Sequence, residues 1–77
     1  MTPHETEFYQ GYVLGALGGS APGVESTSRS AGYYAGFRAF LATGNGEVNV
    51  TRMLEDAQRE TRLHGDRVRR RSHRPGR

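Results

Sequence analysis

Cysteine is absent from the 77 residues, which excludes disulfide frameworks, zinc–thiolate centres and thiol nucleophiles and suits a reducing compartment. Lysine is absent as well: all 11 basic residues are arginine, a usage that fits codon bias in a GC-rich genome better than selection for bidentate phosphate contacts. Without lysine, the glycine-rich stretch GALGGSAPG at 15–23 cannot serve as a Walker-type phosphate loop. No apolar run approaches bilayer-spanning length, and MTPHETEF at 1–8 carries acids where a signal peptide carries bases. A cytoplasmic protein without membrane contact is expected. There is no Gly-x-Ser-x-Gly elbow, and His4, His64 and His73 are scattered. Ser20, Ser26, Ser28 and Ser30 fall where hydroxyls cap backbone donors. The sequence therefore predicts no catalysis, no metal, no cofactor and no small-molecule substrate. A chain this short gains little surplus stability from one core, so a binding protein is expected.

Charge is plentiful but uneven. Residues 1–66 hold five arginines and eight carboxylates, a net of −3, whereas Arg67, Arg69, Arg70, Arg71, Arg74 and Arg77 give the acid-free tail +6. The expected division is a small helical domain over 1–66 and an arginine-rich, largely disordered tail over 67–77.

Three helices are predicted, an all-α fold. Thr2, Pro3 and Glu5 have the layout of a capping box with proline at the first helical position, so α1 should run from about Pro3 to Leu17. Its face is Phe8, Tyr9, Tyr12, Val13, Ala16 and Leu17. GGSAPGVESTS breaks it. Ser28 is placed to cap α2, which should bury Tyr33, Phe37, Phe40 and Leu41 and stop at Gly44. Val48, Asn49 and Met53 fit a hydrophobic staple around an Asn cap, which starts α3 at about Val50 and carries it to about residue 66. A short strand at 47–50 is the alternative. The expected seam of α3 is Val50, Leu54, Ala57, Thr61, His64 and Val68, with surface pairs Glu55–Arg59, Glu60–His64 and Asp66–Arg70.

Glycine is abundant, 11 residues, and each one inside a helix costs about 1 kcal/mol against alanine. Gly11 and Gly15 on α1, and Gly32 and Gly36 on α2, are spaced four apart and form flat ridges that admit a second backbone. The expected arrangement is an antiparallel hairpin, residues 3–43, joined by the 20–28 loop, with these glycines at the crossing and Tyr12, Tyr33 and Phe37 beside it.

Gly11, Tyr12, Gly15 and Gly18, then Pro22 and Arg29, then Tyr33, Gly36, Phe37 and Arg38 together resemble the pattern of the ribosome modulation factor family. The likeness covers roughly residues 8–42. Gly23 follows Pro22 where that family has tyrosine, Tyr33 stands where tryptophan is usual, and the family's overall basic character is missing from this stretch. The resemblance implies two helices joined by a loop, no catalysis, and binding to the small ribosomal subunit near the message-binding end of its RNA.

Two function classes follow. In the first, a ribosome-associated or RNA-binding factor, Tyr9, Tyr12, Tyr33 and Tyr34 dock while Arg29, Arg38 and the tail arginines grip phosphate, since arginine forks pair with phosphate and stack on exposed bases. In the second, a small interaction module of phage or mobile-element type packs its hairpin and third helix on a host protein or on a second copy of itself, and the tail pairs with an acidic protein partner. No helix-turn-helix spacing supports a DNA reader.

Overall fold

The first helix begins where its side chains can satisfy its own free amides. In a computed structural model of the chain, Thr2 is extended, its Oγ1 accepts from the Glu5 amide at 3.2 Å, and the Glu5 carboxylate accepts from the Thr2 amide at 3.1 Å. This capping box opens α1, Pro3–Ala16. Gly18, at φ 75°, closes it: Gly19 N donates to Leu14 O at 3.0 Å and Gly18 N to Gly15 O at 2.9 Å, the paired bonds of a Schellman stop. The other helices are α2, Thr27–Ala42, and α3, Val50–Ser72. At the start of α3, Asn49 Oδ1 accepts from Arg52 N at 3.0 Å, the expected cap. The structure describes residues 2–21, 27–43 and 49–72, with residues 71 and 72 as backbone only. The fold is all-α, with no strand among the described residues. Val48 of the staple, residue 47 of the strand alternative, and the stop at Gly44 lie outside them.

The glycines do form the contact between α1 and α2. A Cβ built on Gly11 would strike the carbonyl oxygen of Arg29, and one on Gly15 that of Tyr33. Reciprocally, Gly32 faces the carbonyl of Phe8 and Gly36 that of Tyr12. Such approaches permit Cα–H···O contacts, each worth about 0.5–1 kcal/mol. Close backbone approach also brings Phe8, Tyr12 and Tyr33 out of water, at 3%, 4% and 8% exposure. Burial of large aromatic residues at roughly 1.5–3 kcal/mol each outweighs the glycine cost.

The direction of the crossing differs from the expected hairpin. Gly11 lies beside Arg29 and Tyr33, and Gly15 beside Tyr33 and Phe37, so residue numbers rise together along both helices. The two helices run parallel, and both N-termini lie at one end of the molecule. Gly11-Tyr12-Val13-Leu14-Gly15 and Gly32-Tyr33-Tyr34-Ala35-Gly36 are the same motif, Gly-Tyr-x-x-Gly, meeting in one register about a local two-fold axis. The connection allows this. Beyond the turn at Gly18, the stretch from Gly19 to Thr27 can reach roughly 27 Å when extended, more than the about 24 Å that a 16-residue helix spans. Tyr33 Oη fastens the start of that connection by donating to Gly19 O at 3.0 Å.

The third helix lies antiparallel to both, on one face of the pair and mainly against α1. Its buried ridge is Met53, Ala57, Thr61 and Gly65, a stack of residues at a spacing of four. Ala57 is fully buried and Met53 8% exposed, packed with Phe8, Tyr12 and Ala16. The expected seam is therefore rotated. Ala57 and Thr61 are in it, but Val50 is 55% exposed, while Leu54, His64 and Val68 sit at its margin. Small residues win the centre because α3 must settle closely onto α1. Leu41 at 60% and Leu17 at 53% are likewise on the surface, not buried. Asp56 and Asp66 pair at a separation of three, with Arg59 and Arg69, so Asp66 takes Arg69 rather than the expected Arg70.

α3 also overruns the expected boundary at residue 66 and continues to Ser72. Arginine has high helix propensity, and cations at a helix C-terminus meet its negative dipole end. The first part of the tail is thus helical, and residues 73–77 lie outside the described ones.

Candidate nucleic-acid interface

Position on α3 decides which arginines are available. Gly65 faces the side chain of Glu5, near the start of α1. Because α3 is antiparallel to α1, its next turns pass the end of the body. This overrun contributes to a long axis of 50 Å against 24 and 20 Å across. Arg67, Arg69 and Arg70 are exposed there, and half-buried Val68 marks the side turned to the body.

Arg69 Nη2 donates to Asp66 Oδ1 at 2.7 Å. Both members are more than half exposed, so the pair contributes a fraction of a kcal/mol and yields readily to another anion. Neither Arg67 nor Arg70 has an ion-pair partner among the described residues. The nearby Glu5 carboxyl is held below the ordinary carboxylate range, first by its hydrogen bonds with Thr2 and least by the charge of Arg69. Glu5 thus serves the cap of α1 more than it neutralises the arginine end. Arg71 falls within α3 with its side chain outside the described set, as are Arg74 and Arg77.

The remaining predicted residues divide by burial. Arg29 Nη2 donates to Glu7 Oε1 at 3.0 Å and to Gln10 Oε1 at 3.4 Å, a half-buried tie between α2 and α1. It is a fold contact, not a free phosphate ligand. Tyr12 and Tyr33 are buried and offer no ring to a partner. Burial, with smaller help from Asp56 and Glu60, raises the Tyr12 phenol above its usual value. Tyr9 is half-buried against the core. Phe37 is half-buried in a stack between Tyr33 and Phe40, with centroids 5.7 and 5.9 Å away. Tyr34, 61% exposed, and Arg38 stand on the outer face of α2. They do not converge with the arginines of α3.

One cluster escaped the sequence reading, which placed His64 on the α3 seam with no role in a site and took Ser28 for a cap. Ser28 is buried, and its Oγ lies 3.0 Å from His64 Nε2 and 3.5 Å from His4 Nδ1. The His64 ring stacks on Phe8 at 4.4 Å. The cluster joins all three helices near the end that holds the N-termini of α1 and α2. Its only sequence signal was His64 falling on the four-three seam of α3. Among the described residues, no group of three or more His, Asp or Glu could hold a metal ion, and no helix is long and apolar enough to cross a membrane. A cleft of about 440 Å³ at the opposite end is lined by Tyr12, Ala16, Phe40, Met53, Asn49 and Asp56 among others.

No protein-family model matches the chain, and no curated protein or solved structure matches it.

Proposed function

We propose that this chain is a non-catalytic, cytoplasmic RNA-binding protein that associates with ribosomes. The observation that carries the reading is the exposed arginine end of α3: Arg67, Arg69 and Arg70 stand on the turns that pass the body, two of them without an ion-pair partner among the described residues. A cation cluster held on a helix engages phosphates with less ordering cost than one on a free chain, and its grip weakens steeply with salt. The resemblance of residues 8–42 to ribosome modulation factors adds support, since the glycines and aromatic residues that carry it are those of the α1–α2 crossing. A second reading, docking on a protein or on another copy, draws on Tyr34 and Leu41, about 60% exposed on α2.

The test is sedimentation of lysate through sucrose gradients at low and moderate salt, following the tagged full chain and a variant with Arg67, Arg69 and Arg70 all changed to Ala. Co-migration of the full chain with ribosomal particles, lost in the variant, is expected. A chain that remains at the top, or migrates with particles regardless of the three arginines, refutes the reading.

A further inference from the structure

The three described arginines at the end of α3 do not share one face. At 100° per residue, Arg67 and Arg69 leave the helix on opposite flanks, about 160° apart, with Arg70 between them on the outward crest. Val68 occupies the fourth side, toward the body. A flat polyanionic surface would engage the crest and leave at least one flank in water. Phosphates on both flanks require a partner with two walls, which is a groove.

From this we infer that the helix end over residues 67–72 inserts into the major groove of a folded RNA, with Arg67 and Arg69 pairing to phosphates on opposite walls and Arg70 facing the floor. The inference rests on the RNA-binding reading and adds the class of RNA. Two facts narrow that class. A helix with its side chains is about 10–12 Å across, too wide for the deep, narrow major groove of a regular A-form duplex. The groove must be opened by a bulge or internal loop. Residues 1–66 carry a net charge of −3, so a long regular duplex lying across the body would bring its flanking phosphates against like charge. A short groove that takes only the protruding turns avoids that repulsion.

The test uses the full chain and four labelled oligonucleotides of equal length: an RNA hairpin with an internal bulge, the same hairpin fully paired, an unstructured RNA, and the fully paired hairpin in DNA. By fluorescence anisotropy the bulged RNA is expected to bind at least about tenfold more tightly than each of the others. Arg67→Ala and Arg69→Ala should each weaken it about fivefold or more and lower the salt slope by about 1. Arg62→Ala, on the same flank as Arg69 but two turns back over the body, should change it less than twofold. Circular dichroism of each variant establishes that the helices are retained. Equal affinity for unstructured RNA, or dependence on only one of Arg67 and Arg69, overturns the groove while leaving RNA binding in place. Equal affinity for the DNA duplex, whose major groove also admits a helix, overturns the assignment to a bulged RNA. No binding to any of the four overturns both.

Discussion

α1 meets its two neighbours by different chemistry. Against α2 it presents glycines to main-chain carbonyls: Gly11, Gly15, Gly32 and Gly36 each face an oxygen that cannot move without moving a helix. Against α3 it meets a ridge of small and flexible side chains, where Gly65 faces only the end of the Glu5 side chain. The first contact specifies one geometry, and the second tolerates adjustment. Rigid and adaptable contacts therefore coexist on one short helix, and substitutions of the same kind should have effects of very different size in the two places.

The largest effect is expected at the crossing. Gly36→Ala gains about 1 kcal/mol of helix propensity but drives its methyl into the Tyr12 carbonyl. Net destabilisation of about 3 kcal/mol or more is expected, read as a collapse of the thermal midpoint in far-ultraviolet circular dichroism. Met53→Ala removes the largest side chain of the α3 ridge, which is 8% exposed. A loss of about 2–3 kcal/mol should appear as a lower urea midpoint. Gly65→Ala is far milder: its methyl meets the Glu5 side chain rather than main chain, which yields at the expense of its bonds to Thr2. The helix-propensity gain of about 1 kcal/mol is offset by the weakened cap, and a net change within about 1 kcal/mol of zero is expected. A loss as large as that of Gly36→Ala would erase the distinction between the two contacts.

The smallest effect is a pH dependence at the start of α1. The Glu5 carboxyl is held below its ordinary value of 4.5 by its bonds with Thr2. Its contribution is full above pH 4.5 and is lost as the pH falls through the lower, folded-state value. Comparing melting temperatures between pH 5 and 3, the fall in the parent should exceed that in Glu5→Gln. Equal falls would show that the capping carboxylate carries no part of the acid sensitivity.

Local features were legible in the sequence because they depend on neighbours in the chain. The Thr2–Glu5 box and the Asn49 cap are such features, and both stand where their spacing placed them. The four packing glycines were legible as a ridge, but a ridge of small residues has no direction. It closes a parallel crossing as well as an antiparallel one, and residues 17–26 are long enough for either. What separates the two is the register of Gly-Tyr-x-x-Gly repeated in the same sense on both helices. That repeat is visible in the sequence once its meaning is known. The ridge of α3 was misplaced because large apolar residues mark a face more loudly than alanine, threonine and glycine do. Its real centre is Ala57, Thr61 and Gly65, the residues that let α3 approach. Among the predicted binding residues, Tyr12 and Tyr33 were misjudged because an aromatic ring serves a core as well as a partner. Only packing decides between those uses.

The central claim is a division of labour, in which the glycine crossing builds the scaffold and the arginine end of α3 meets the partner. The most direct measurement is a nuclear magnetic resonance titration of the isotope-labelled full chain with the bulged RNA hairpin, following backbone amides. The account predicts shifts concentrated over residues 66–72, with the amides of Gly11, Gly15, Gly32 and Gly36 unmoved. Shifts centred on Tyr34 and Arg38, with the end of α3 unchanged, would contradict it.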